Sequence, residues 1–154
     1  MLSAMRWMLA ALALALGCSR GSETPEEQVR GVLAALEAAA EARDVGALEE
    51  HLSKSYRDAQ GNDRSSALGI ATAHFMRNSS VYVLSHVAAL EIPEPGAARA
   101  EVVVALAGTP IREPGDLLGL RADLYRFDLR LRDEGGTWRV ISAAWQPATP
   151  SDFE

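Results

Sequence analysis

The chain is poor in cysteine, lysine and aromatic residues. Its 154 residues hold one cysteine, Cys18. An internal disulfide is excluded, so no oxidised framework supports the fold. Lys54 is the only lysine beside 14 arginines, a skew that reads as genome base composition rather than chemistry. Acidic side chains outnumber basic ones 21 to 15, for a net charge of −6. Nucleic acid is therefore excluded as a main partner. No apolar run approaches the ~20 residues that a transmembrane helix needs. There is no glycine-rich phosphate loop, no G-x-S-x-G elbow and no Cys–His cluster for zinc. His51, His74 and His86 lack ligand spacing, so neither a metal nor a cofactor is expected. What is present is globular: 48% hydrophobic and 23% charged, enough chain for one domain with a modest core.

The first eighteen residues form an address. Met1 to Arg6 carries one positive side chain, Trp7 to Leu16 is apolar, and Gly17 and Cys18 follow. That order is a secretory signal. The apolar stretch covers ~15 Å, half of a ~30 Å hydrocarbon core, and is too short for a permanent span. Ala15-Leu16-Gly17-Cys18 resembles a bacterial lipoprotein signal, although that pattern prefers leucine where Ala15 stands and a smaller residue where Leu16 stands. The resemblance implies diacylglycerol on the Cys18 sulfur, cleavage before Cys18 and acylation of the new amine. Residues 1–17 are then a leader and 18–23 a lipidated tether, and the membrane is a partner through the anchor. Two or three acyl chains hold a protein where one binds only marginally. Ser19 stands where an Asp would retain an enterobacterial lipoprotein in the inner membrane. The expected place is the outer membrane, facing the periplasm. The plainer alternative is ordinary signal cleavage and a soluble product.

Beyond the tether the pattern is helical. Thr24-Pro25-Glu26-Glu27 starts a helix with a cap, a proline at the first position and a capping box. Val29, Val32, Leu33 and Leu36 recur at helical spacing, with Glu37 and Glu41 placed on the wet side. Asp44 caps a second, shorter helix through Leu48 and Leu52. Tyr56 lies in a short extended piece, and Gln60-Gly61-Asn62 is turn chemistry. Asp63 caps a third helix, with Leu68, Ala71 and Phe75 on one face.

The period then changes to two. Strands are predicted over Val81–Ile92, Ala98–Ala107, Arg121–Asp133 and Thr137–Gln146. Gly108–Gly119 is a long loop. Tyr125, Phe127, Leu129 and Leu131 point one way, and Arg126, Asp128, Arg130 and Arg132 the other. Trp138 and Trp145 have opposite parity, so both face the core only if a bulge lies between them, near Ala143-Ala144. Residues 148–154 are expected to form a flexible tail. Helices set apart from an antiparallel sheet define an α+β layout.

This element order, ending in Gly135-Gly136-Thr137-Trp138-Arg139-Val140, resembles the NTF2-like fold over residues 24–147. That superfamily includes nuclear transport factor 2 proteins, ketosteroid isomerases and SnoaL-type cyclases; a cystatin-like fold is the runner-up. The resemblance implies a cone: three N-terminal helices packed in a curved antiparallel sheet of about four long strands, with a pocket at the open end. Isomerases of this kind use a carboxylate base beside a Tyr and a protonated acid, which stays neutral only if burial raises its pKa. Candidate pocket residues are Tyr56, Tyr82, His86, Asp123, Tyr125 and Trp145. Asp58 falls in a loop and Asp128 alternates outward, so no catalytic residue is expected. Arg126, Arg130 and Arg132 form either a solvated face or an interface for a homodimer or protein partner, since such domains commonly pair through the outer face of the sheet. The expected function is a non-catalytic binding or accessory domain at the envelope, its pocket taking a small apolar ligand or filled by its own side chains. The alternative is a cofactor-free isomerase, dehydratase or cyclase.

Overall fold

The computed structural model describes residues 22–153. The expected leader, the expected lipidation site Cys18 and the expected tether as far as Gly21 lie outside the described residues, as does Glu154. Helix α1, Pro25–Glu41, begins where the sequence places it. Glu27 N–H donates to Thr24 Oγ1 at 3.2 Å, and Thr24 N–H donates to the Glu27 carboxylate at 2.7 Å. This reciprocal box satisfies two of the helix's orphan donors. Asp44 caps α2, Val45–His51, and Asp63 caps α3, Arg64–Arg77, each by accepting a backbone N–H. Between α1 and α2 the chain turns through Arg43, whose φ is 54°. Glycine usually fills such a left-handed position. Here the arginine reaches across to the Phe75 and Asn78 carbonyls, at 3.5 and 3.1 Å, satisfying acceptors at the end of α3.

The sheet holds five strands: β1 Leu52–Asp58, β2 Tyr82–Glu94, β3 Ala97–Ala107, β4 Ala122–Asp133 and β5 Trp138–Pro147. Their spatial order is β1-β5-β4-β3-β2. Strands β2 to β5 form the expected antiparallel meander, whereas β1 lies parallel to β5 at one edge. The antiparallel sheet of about four strands is thus corrected to a mixed sheet of five. Ser53, Lys54 and Ser55 give β1 no continuous apolar alternation, so its own sequence marks it only as extended. Its strand character comes from pairing with β5, a partner far along the chain.

The antiparallel ladders shift register at three places, one of them at the end of β2 between Glu91 and Glu94. In β2, Val87 faces Val102 and Ala89 faces Glu101, which leaves Ala88 extra. In β5, Val140 faces Leu131 and Ser142 faces Arg130, which leaves Ile141 extra. The β5 bulge restores Trp138 and Trp145 to one face, as their spacing requires, but falls just before Ala143-Ala144.

The main core lies inside the curve, where Val29 of α1 meets Tyr56, Ala100, Leu131, Trp138 and Val140. Trp138 is 4% exposed, and its Nε1–H donates to Gln28 Oε1 at 2.8 Å. The N-terminus of α1 therefore sits at the closed end, beside the β4–β5 turn. Gly135 and Gly136 carry that turn with φ of 69° and 91°.

A second core lies on the outer face at the opposite end. Val103, Ala105 and Ala107 are covered there by Ile111, Leu117 and Phe153. Pro114–Leu118 and Pro150–Phe153 are short 3-10 helices. The segment expected to be a flexible tail is thus packed as far as Phe153, which is 6% exposed. An ion pair between Asp152 and Arg126 and a 2.7 Å bond from Thr149 N–H to Asp152 fasten it. These bonds, the Thr149 ones foremost, hold the Asp152 carboxyl below its usual range.

Candidate functional site

Between α1, α3 and the concave face of the sheet lies a cavity of about 470 Å3. Its position follows from residue size and spacing. At the closed end, large side chains such as Trp138 and Leu131 fill the space under α1. Towards the other end, α1 presents Leu33, Leu36, Glu37 and Ala40, and α3 presents Ala67, Ile70, Ala71, His74 and Phe75. The short side chains of Ala40, Ala67 and Ala71 leave the space between the two helices and the sheet unfilled. The floor comes from Val102, Val104 and Leu106 of β3 and Tyr125, Phe127 and Leu129 of β4, with Trp145 from β5.

Three aromatic rings stand side by side on that floor. Tyr125 meets Phe127 edge-on at 6.1 Å between centroids, and Phe127 lies tilted against Trp145 at 5.9 Å. Few polar side chains face the cavity. Glu37 accepts a short hydrogen bond from the Ser85 hydroxyl of β2. His74 and Asp123 line both the cavity and an adjoining cleft that reaches Asn78 and Arg121. The interior is therefore apolar and the mouth polar, the usual make-up of a small-molecule site. Its volume lies within the range of roughly 300–1,000 Å3 common for such sites.

The candidate residues divide evenly. Asp123, Tyr125 and Trp145 are brought together on the cavity wall. Tyr56, Tyr82 and His86 are not. Tyr56 is packed in the main core, where burial, and secondarily the charge of Asp58, push its hydroxyl up to about 12. Tyr82 and His86 pair with Ala107 and Val103 on the convex face. They share one face of β2, and that face is the outer one. Asp58 is 9% exposed but organises the turn after β1, accepting from Gln60 N, Asn62 N and the Asn62 side chain.

Glu37 is the residue the sequence reading missed. The sequence pattern sets it on the wet side, yet it is only half-exposed and faces the cavity. Its spacing held the signal: it stands four residues after Leu33 and three before Ala40, on the apolar stripe itself. Glu41 is exposed as expected, but its carboxylate accepts the Val83 backbone N–H at 3.0 Å.

On the convex face the arginine row is partly used within the chain. Arg126 pairs with both Glu101 and Asp152, which holds it firmly protonated. Arg130 and Arg132 are exposed. Among the described residues no cluster of three or more His, Cys, Asp or Glu side chains is arranged to hold a metal ion. No helix among them is long and apolar enough to cross a membrane.

These elements define an α+β domain with the NTF2-like fold, a curved sheet closed over a long helix. No protein-family model and no curated protein matches the chain. Solved structures do match it. An NTF2-like protein from Cytophaga hutchinsonii aligns at a TM-score of 0.62 and 13% identity, over 82% of this chain and 100% of that one. A protein with a cystatin-like fold from Caulobacter vibrioides aligns at 0.62 and 17%, over 80% of this chain and 89% of that one. Bd1075 of Bdellovibrio bacteriovorus also aligns at 0.62, with 10% identity over 78% of this chain; the chain spans 40% of that longer protein. At these identities the likeness shows the fold alone.

Proposed function

We propose that the chain is a lipid-anchored envelope protein whose domain binds a small apolar molecule, as a binding or accessory module rather than a catalyst. The observation that carries the binding role is the cavity itself, apolar inside and polar at its mouth. The lipid anchor rests on Ala15-Leu16-Gly17-Cys18. The fold gives the anchor a geometric consequence. Helix α1 starts at the closed end, and its 17 residues rise ~25 Å towards the mouth. A tether that enters before Thr24 would join the body at its closed end, the end far from the mouth. The ligand would arrive from the aqueous side, in the periplasm if the anchor sits in the outer membrane. Arg130 and Arg132 remain open to a second copy or a protein partner.

Calorimetry with 1-adamantanol, a compact apolar alcohol, tests the binding role. The full chain in lipid nanodiscs should bind it saturably above an empty-nanodisc blank. Ala71→Phe, which fills the cavity from α3, should abolish that binding while leaving the urea midpoint within a small shift. Equal binding by wild type and Ala71→Phe would contradict the proposal.

Glu37 favours a second reading, a cofactor-free isomerase. A carboxyl on an apolar wall is where a proton-transferring base would sit. Among the described residues its hydrogen bond runs to Ser85, and none joins it or Asp123 to a His or Tyr. That reading requires solvent deuterium to enter a β,γ-unsaturated ketone in the presence of the protein, and to stop doing so in Glu37→Gln.

A further inference from the structure

The cavity's chemistry goes beyond being apolar. Its wall carries two carboxyl groups, Glu37 and Asp123, and no lysine or arginine. The nearby arginines are used elsewhere or stand outside it. Arg43 donates to the Phe75 and Asn78 carbonyls, Arg126 pairs with Glu101 and Asp152 on the convex face, and Arg121 lines only the adjoining cleft. Among the described residues no ion pair reaches either carboxyl in the wall.

A negatively charged group bordered by hydrocarbon is stabilised when a cation or a strong donor meets it. The second observation is independent of charge. Tyr125, Phe127 and Trp145 present three neighbouring rings to the same space. Aromatic faces attract cations through their negative quadrupole, more strongly when water is excluded. Carboxylate plus clustered rings on an apolar wall is the chemistry that recognises an organic ammonium group. The same wall disfavours an apolar acid such as a fatty acid, because its carboxylate would meet Glu37 and Asp123 with no counter-charge.

We infer that the ligand is an apolar amine: a compact hydrocarbon body with one protonated nitrogen, directed to Glu37 and the aromatic floor. This rests on the cavity being a binding site, as proposed above. His74 is the one basic side chain on the wall.

The test uses three probes of one shape at pH 8: 1-adamantylamine, 1-adamantanol and adamantane-1-carboxylate. Each is titrated calorimetrically into the full chain in lipid nanodiscs, with empty nanodiscs as blank. The amine should bind at least about tenfold more tightly than the carboxylate and several-fold more tightly than the alcohol. Glu37→Gln should weaken the amine about tenfold and the alcohol by a clearly smaller factor. Asp123→Asn, at the exposed mouth, should weaken the amine by a smaller factor and serves as the readout if Glu37→Gln fails to fold. Alcohol binding without preference for the amine would overturn the ligand class and leave the cavity reading standing. An amine preference untouched by either variant would do the same. If no probe binds, the cavity reading falls and this inference with it.

Discussion

Replacing Trp138 with alanine should be the most damaging single truncation in the main core. The ring is 4% exposed and packs with Val29, Leu131 and Val140 between the start of α1 and the closed end of the sheet. Deleting it removes the favourable transfer of a large aromatic side chain and leaves a void that rigid neighbours on a helix and two strands cannot close. Truncations of this kind cost roughly 3–5 kcal/mol. The hydrogen bond to Gln28 adds little, because Gln28 is half-exposed and can turn to water; its net worth is about 0.5–1.5 kcal/mol. A domain of this size has about 5–15 kcal/mol in total, so Trp138→Ala should fold but unfold at much lower urea. Trp138→Phe, which keeps a ring and loses the donor, should recover more than half of the loss. The assay is urea denaturation followed by far-UV circular dichroism, with the m-value checked for constancy. A cost under about 1 kcal/mol would refute the packing described here.

Other outcomes follow from the same structure. Cys18→Ser should move the protein from the membrane fraction to the soluble one, and unchanged fractionation would contradict the anchor. Phe153→Ala should cost roughly 3 kcal/mol, since the ring closes the outer core over Val103 and Ala105; a loss below about 0.5 in urea titration would mean that the end of the chain is not docked. Tyr56 ionises at about 12 when folded, against an ordinary value of 10.0. Its contribution to stability is complete below pH 10 and is lost as the pH rises towards 12. The urea midpoint should therefore fall over that range, and less so in Tyr56→Phe; parallel falls would remove Tyr56 as the cause. Arg130→Glu should weaken self-association in sedimentation velocity if the convex face pairs, and an unaltered profile would dismiss that interface.

Local chemistry made much of this fold legible. Thr24, Asp44 and Asp63 announce three helix starts through side chains that must satisfy orphan N–H groups, and each does so. The alternation from Tyr125 to Arg132 assigns both faces of β4, and the opposed parity of Trp138 and Trp145 forces a bulge. Long-range cover was less legible. Ile111, Leu117 and Phe153 are isolated apolar residues in irregular segments, with no period to reveal a common target. The signal lay instead in β3, where Val102 to Ala107 is apolar at every position. A strand with one wet face does not read that way, so part of the convex face had to be covered. Of the expected pocket residues, Asp123, Tyr125 and Trp145 lie on the concave side of the sheet and line the cavity, while Tyr82 and His86 lie on the convex one. Glu37 was missed because a carboxylate on a helix reads as solvated until the helix is seen to line a hollow.

The cavity's role is tested most directly by mapping where a ligand lands. Amide and side-chain NMR spectra of the 15N-labelled chain should be recorded during titration with 1-adamantylamine. Saturable shifts are expected at Leu36, Glu37, Ser85, Leu106, Tyr125 and the Trp145 indole, with Trp138 and the convex face unmoved. Shifts confined to the convex face, or none that saturate, would contradict the account.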